Sequence, residues 1–170
     1  MKKVRFSVLL LLIVGSSLWT RPSSALSLGL QGGLHLANDS TGLSSQTRFM
    51  FGGRLELPLF MNLFLQTELN YLNYGTSEYL GIPVLGKVKI EGRGFNPYLL
   101  IGPEFGFKVS GSSLFNGSNF SIDFGAGAEF EIAHMALFFI DGRYSLGTTN
   151  YLGSVKTRSV QILAGLAFGI

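Results

Sequence analysis

Few side chains in this 170-residue chain could support catalysis or metal binding. It has no cysteine and two histidines, His35 and His134. His35 falls in a predicted strand and His134 in a predicted turn, so we do not expect them to be neighbours. A tetrahedral zinc site would also need carboxylates. We therefore predict no metal site, no cofactor-binding residue and no catalytic residue.

Two carboxylates, Glu129 and Glu131, lie two positions apart on one face of a predicted strand. Such a spacing could serve general acid and base catalysis. The basic residues Lys87, Lys89 and Arg143 lie on the equivalent face of other predicted strands. We therefore interpret the two glutamates as ion-pair partners of Lys87, Lys89 or Arg143 across the lumen.

The enzyme hypothesis that fits this composition best is a lipid esterase with a histidine, a serine and an orienting acid. That set would have to face the lipid, whereas His35 is predicted to point to the other side of its strand. The segment Gly125-Ala126-Gly127 lacks the Lys-Ser/Thr and the helix of a phosphate-binding loop. The chain is therefore not predicted to be an enzyme.

The first 25 residues have the three parts of a secretory signal peptide. Three basic residues occur among the first five, an apolar run follows over Phe6–Val14, and Ser23-Ser24-Ala25 is an acceptable cleavage site. A membrane anchor is the alternative, but the run is too short to span about 30 Å of hydrocarbon. We predict a cleaved signal peptide at 1–25 and one domain at 26–170.

Removing this segment changes the charge of the protein. The whole chain has 13 basic and 10 acidic residues and a net charge of +3. The segment after residue 25 keeps nine basic and ten acidic residues, a net charge of about −1. Nucleic acid is therefore not an expected partner. Charged residues make up 14% of the chain against about 25% in soluble domains, which argues against a coiled coil or a disordered chain.

The segment after residue 25 alternates between apolar and polar residues with a period of two, as β-strands do. In 26–36 the even positions are apolar or glycine and the odd positions are small or polar. Seven further segments show the same alternation: 49–57, 63–71, 82–90, 99–109, 120–132, 138–146 and 160–170.

Charged residues in these segments fall on the polar face alone. They are Arg48, Arg54, Glu56, Glu68, Lys87, Lys89, Glu104, Lys108, Asp123, Glu129, Glu131, Asp141 and Arg143. The segments are about as long as the 9–11 residues of a membrane-spanning strand, whereas soluble strands average about 5–6. A soluble lipocalin-like barrel is the main alternative fold. It typically has a Gly-x-Trp near its start, and the only tryptophan here is Trp19 in the predicted signal peptide.

The connections between the segments alternate in length. Longer polar ones are expected at 37–47, 74–79, 110–119 and 148–157, and mostly shorter ones at 60–62, 91–96 and 133–135. Outer-membrane barrels have short turns on one side and longer loops on the other. We predict an all-β fold, an eight-stranded antiparallel up-and-down transmembrane β-barrel. Its interior would be filled by side chains, with the inward charges forming an ion network.

Four segments, 80–90, 96–107, 124–132 and 141–150, resemble the outer membrane protein beta-barrel domain family, which includes PorT-like and OmpX-like small barrels. The resemblance covers most of the chain after residue 26. It implies an eight-stranded barrel in the outer membrane, and it implies no shared catalytic residues.

These observations favour a small outer-membrane barrel with a structural or interaction role through its outer loops. The alternatives are a narrow channel or a component of transport or export machinery, and a lipid-modifying enzyme. Outer-membrane lipid is the expected partner, together with surface or envelope proteins that meet the outer loops. We expect a monomer that binds no cofactor and no nucleic acid.

Overall fold

The computed structural model describes residues 26–38, 45–73, 77–90, 92–111, 118–133, 135–147 and 158–169. The predicted signal peptide at 1–25, His134, the whole connection 148–157 and parts of the other three longer connections lie outside these residues.

Eight strands form the fold, and each pairs antiparallel with the next along the chain. The eighth strand pairs with the first, so the sheet closes into a barrel, as predicted from the lengths of the strands and connections. The strands are β1 Ser27–Asn38, β2 Ser45–Phe60, β3 Leu63–Asn73, β4 Ser77–Lys89, β5 Phe95–Gly111, β6 Ser118–Ala133, β7 Ala136–Gly147 and β8 Arg158–Gly169.

The strands are longer than their apolar segments, and they extend into connections that we predicted as loops. β2 begins at Ser45, β4 begins at Ser77 and β5 continues to Gly111. The pairing of neighbouring strands continues there because the hydrogen bonds between their backbones do not depend on the polarity of the side chains. We call the end of the barrel with the four longer connections the upper end, and the end at which β1 begins and β8 ends the lower end.

The outer face of the barrel is apolar and the inner face is polar, in the predicted register. Outward Phe49 is 79% exposed and Leu30 is 74% exposed, whereas inward Lys87 is fully buried. A soluble barrel would bury its apolar face, so this one is built for an apolar surrounding. Within the described residues, no helix is long and apolar enough to cross a membrane.

Aromatic pairs lie on the outer face near both ends of the barrel. Near the upper end the ring centroids of Phe51 and Tyr71 are 5.0 Å apart. Near the lower end those of Phe95 and Phe130 are 5.3 Å apart, and Phe138 follows Phe130 at 6.2 Å. Aromatic side chains concentrate at the two water interfaces of membrane barrels. These pairs lie where such an interfacial belt forms.

Candidate functional site

The candidate functional site is the charged interior of the barrel. Of the thirteen charged residues predicted to face inward, ten are buried: Arg54, Glu56, Glu68, Lys87, Lys89, Glu104, Asp123, Glu129, Asp141 and Arg143. The other three lie near the ends. Arg48 and Lys108 are partly exposed towards the upper end, and Glu131 is exposed towards the lower end. The prediction that all thirteen lie inside the lumen was therefore wrong for Glu131, because the lumen ends before its position.

A lower cluster of five charged residues joins β2, β4 and β6. Lys89 Nζ lies 2.7 Å from Glu56 Oε1 and 2.7 Å from Glu129 Oε2. Lys87 contacts the same two carboxylates, at 2.5 Å from Glu56 Oε2. Arg54 Nη2 donates to Glu129 Oε1 at 2.8 Å. Two carboxylates thus hold three cations in a buried network.

Aromatic rings cover the cations of the lower cluster. The Arg54 guanidinium lies 3.4 Å from the ring centroid of Phe139. Lys87 Nζ lies 4.0 Å from the Tyr98 ring, and Lys89 Nζ lies 4.3 Å from the Phe64 ring. Cations are attracted to the faces of aromatic rings, and more strongly where water is excluded. These rings stabilise the third cation, which the two carboxylates leave without a matching negative charge.

A middle cluster is centred on Arg143 of β7. Its two terminal nitrogens donate to the two Glu68 oxygens at 2.7 and 2.8 Å, and its Nε donates to Asp141 Oδ1 at 2.8 Å. Gln31 and Asn70 each donate to Glu68 Oε2 at 2.8 Å. A paired arginine-carboxylate fork is among the stronger polar contacts in proteins. The middle cluster therefore ties β1, β3 and β7 together across the lumen.

An upper pair of carboxylates, Glu104 and Asp123, lies on the neighbouring strands β5 and β6. Ser145 Oγ donates to Asp123 Oδ1 at 2.6 Å. Gln161 Nε2 donates to Glu104 Oε2 at 3.4 Å and to Ser145 Oγ at 3.3 Å. The hydrogen bonds to these two carboxyl groups therefore come from neutral donors.

Glycines on the inner face make room for these large side chains. A Cβ atom on Gly125 would lie 2.9 Å from Arg143 Cγ, closer than real Cβ contacts come. A Cβ on Gly81 would lie 2.6 Å from Glu104 Oε1. The high glycine content, 23 of 170 residues, thus has a packing reason in the lumen.

Only part of the predicted ion pairing occurs in the structure. Glu129 binds Lys87 and Lys89, as predicted. Arg143, the third alternative, binds Glu68 and Asp141, and Glu131 is exposed outside the lumen. The alternation gave the face of each residue, but it did not show which strands face each other across the lumen.

His35 is buried and points inward, as its register predicted. In the described part of the chain, no group of three or more histidine, cysteine, aspartate or glutamate residues could hold a metal ion.

The upper pair and its neutral neighbours were not singled out in the sequence. Their only signal there was that Glu104 and Asp123 share the inner face of consecutive strands.

A closed eight-stranded barrel with an apolar outer face and a charged, packed interior has the architecture of the small transmembrane β-barrels. The chain matches the outer membrane protein beta-barrel domain family over residues 6–168 and belongs to it. It is an outer-membrane protein. None of the curated proteins matches it in sequence.

Solved structures of small barrels have the same fold at low sequence identity. Neisserial surface protein A matches with a TM-score of 0.72 and 15% identity, covering 85% of this chain and 97% of that one. The attachment invasion locus protein Ail of Yersinia pestis matches at 0.54 and 16%, covering 85% and 99%. The outer membrane enzyme PagL matches at 0.52 and 12%, covering 82% and 99%.

Proposed function

We propose that this protein is a monomeric outer-membrane barrel whose role is structural or interactive, exercised by its upper connections on surface or envelope proteins. The packed lumen is the observation that carries the proposal. Side chains from the three levels of the interior, among them Lys87, Phe139 and Gln161, are almost completely buried. A lumen filled in this way leaves the upper connections as the part of the protein that can contact partners outside the membrane.

The upper connections have the composition of contact loops. The segments 37–47, 110–119 and 148–157 are rich in Gly, Ser, Asn and Thr, which are small and polar. Among the similar structures, Neisserial surface protein A and the attachment invasion locus protein are named for the cell surface and for attachment. These names support an interaction role.

We further propose that the protein has no catalytic activity. The similar enzyme PagL makes a lipid-directed activity the hypothesis to test. In this chain His35 is 5% exposed and lies inside the barrel, where a lipid in the surrounding membrane cannot reach it. Mass spectrometry of outer-membrane lipids, with and without the protein, should show no change. A new lipid species that depends on the protein would contradict the absence of activity.

A narrow channel is the second candidate function, and one observation favours it. Several buried polar atoms of the lumen have no hydrogen-bond partner, among them Arg54 Nε, Gln31 Oε1 and Gln66 Oε1. Water molecules could satisfy such atoms and so mark a path for small ions.

Planar-bilayer recording separates the two candidates. The purified protein should show no discrete openings, because the charged clusters and their aromatic covers block the lumen. Regular unitary openings of the wild-type protein would favour the channel instead.

Surface cross-linking of intact cells tests the interaction role. The wild-type protein should give specific adducts with a membrane-impermeant reagent. A variant with short Asn-Gly turns in place of 39–44, 112–117 and 148–157 should lose these adducts while it still folds. Equal adducts from both proteins would show that the upper connections are not the contact surface.

A further inference from the structure

The turn between β2 and β3, at the lower end of the barrel, exposes apolar side chains that the proposed function does not use. Phe60 is 71% exposed and Leu59 is 57% exposed, and Met61 beside them is exposed as well. Such side chains are unfavourable in water. A group of them marks a surface that contacts another apolar surface.

A β-bulge directs Phe60 to the outer face of the barrel. The register of β2 and β3 shifts between Pro58 and Phe60, and Phe60 then lies opposite Leu63. Residues that lie opposite each other on antiparallel strands share a face, and Leu63 is on the exposed, outer face of β3. Without the bulge, the alternation of β2 would turn Phe60 towards the lumen, as it does Glu56.

The tip of the turn has an apolar side chain despite backbone strain. Met61 has a φ of 46°, in the left-handed region that glycine and asparagine favour. The connection between β4 and β5 has Gly94, with a φ of 79°, as its left-handed residue. The backbone of the β2–β3 turn therefore does not call for a methionine, and the apolar side chain of Met61 needs another explanation.

The exposed side chains of the turn continue the outer face of the neighbouring strands. Leu63 lies opposite Val88 of β4, and Ile90 follows Val88 two positions along the chain. We call six exposed residues the lower apolar patch: Leu59, Phe60, Met61, Leu63, Val88 and Ile90. The connection between β4 and β5, at the same end of the barrel, exposes the charged Arg93 instead.

We propose that the lower apolar patch inserts into the lipid at the lower end of the barrel, so that the β2–β3 turn anchors the protein in the boundary between acyl chains and headgroups. The occupant is phospholipid because the patch is continuous with an outer face that already lies in hydrocarbon. A protein partner would have to displace lipid from Leu63 and Val88 to cover the turn. The anchor does not depend on the role of the upper connections, which lie at the other end of the barrel.

Tryptophan fluorescence in lipid vesicles tests the anchor. The chain has a single tryptophan, Trp19, so Trp19→Phe gives a full-length protein without tryptophan. Phe60→Trp in this background is refolded in phosphatidylcholine vesicles, with and without bromine atoms on the acyl chains. Its emission should lie at short wavelength, and brominated lipid should quench it whereas iodide in the water should not.

Two control positions calibrate the measurement. Ile140→Trp, on the outer face of β7, should be quenched by brominated lipid. Arg93→Trp, in the polar connection at the lower end, should emit at longer wavelength and be quenched by iodide. If Phe60→Trp does not give the folded form on unboiled gels, Leu59→Trp reports on the same patch.

The stability of charged variants provides an independent measurement. Phe60→Asp should lower the urea concentration at which the barrel unfolds in these vesicles, because the turn then has to leave the lipid or place a charge in it. Arg93→Asp should leave that concentration unchanged.

Three results would overturn the proposal. The first is Phe60→Trp emission that matches Arg93→Trp and is quenched by iodide, which would place the turn in water. The second is short-wavelength emission that brominated lipid does not quench, which would mean that protein, such as a second copy of the chain, covers the patch. The third is a folded Phe60→Asp variant that is as stable in vesicles as the wild type.

Discussion

At the scale of the residue, Arg143 holds the centre of the lumen. It is completely buried and satisfies two carboxylates, Glu68 and Asp141, from one side chain. Removing one partner of a buried ion pair destabilises a protein more than replacing the whole pair by apolar residues, because an uncompensated charge remains in the interior.

We expect Arg143→Ala to lower the free energy of unfolding by about 3–5 kcal/mol, since it leaves Glu68 and Asp141 buried without their cation. Urea unfolding in lipid vesicles, followed by gel migration of unboiled samples, measures the change.

A double-variant comparison shows whether the loss comes from the unpaired charge. Glu68→Gln added to Arg143→Ala should restore part of the stability, because one of the two stranded carboxylates is then neutral. Additive losses from the two changes would show that Arg143 acts by packing alone.

At the scale of the element, each strand separates two environments by the alternation of its side chains. Ile140 of β7 points outward between Asp141 and Phe139, which point inward. A charge at such a position would have to be placed in hydrocarbon, and its cost depends on its depth in the bilayer.

We expect Ile140→Arg to destabilise the barrel by about 2–4 kcal/mol and Leu146→Arg by about 0–1 kcal/mol. Both residues face outward on β7, but Leu146 lies one position from the upper end of the strand, where the side chain can reach water. Unfolding of both variants in vesicles of the same lipid provides the comparison. Equal losses at the two positions would contradict the depth that we assign to Ile140.

At the scale of the whole molecule, the pairing of β1 with β8 closes the barrel and removes both sheet edges. The backbones approach closely at this seam. A Cβ on Gly33 would lie against the Ile162 carbonyl and 2.9 Å from Leu163 Cα. Gly32, its neighbour in the chain, points outward, and a Cβ there would meet its nearest atom at 3.7 Å.

We expect Gly33→Val to prevent or strongly impair closure and Gly32→Val to leave it intact. Folded barrels migrate differently on gels before and after boiling, so membrane fractions of both variants report closure directly. Normal folded migration of Gly33→Val would show that the seam can adjust to a side chain.

The sequence by itself determined the eight strands, the face of their residues and the absence of charge from the outer face of the apolar segments. These follow from local chemistry, because a strand places alternate side chains on opposite sides whatever its neighbours are. The family was also recognisable in the sequence, through the resemblance of the segments 80–90, 96–107, 124–132 and 141–150.

Only the tertiary structure decided which inward charges meet. Arg54 and Glu129 are 75 residues apart and lie on strands that are not neighbours in the sheet, so no local pattern links them. Contacts across the lumen depend on the tilt and stagger of the closed barrel. The same geometry brings Glu104, Asp123, Ser145 and Gln161 together from four consecutive strands. Strand lengths also depended on it, because pairing between partners extended the strands beyond their apolar segments.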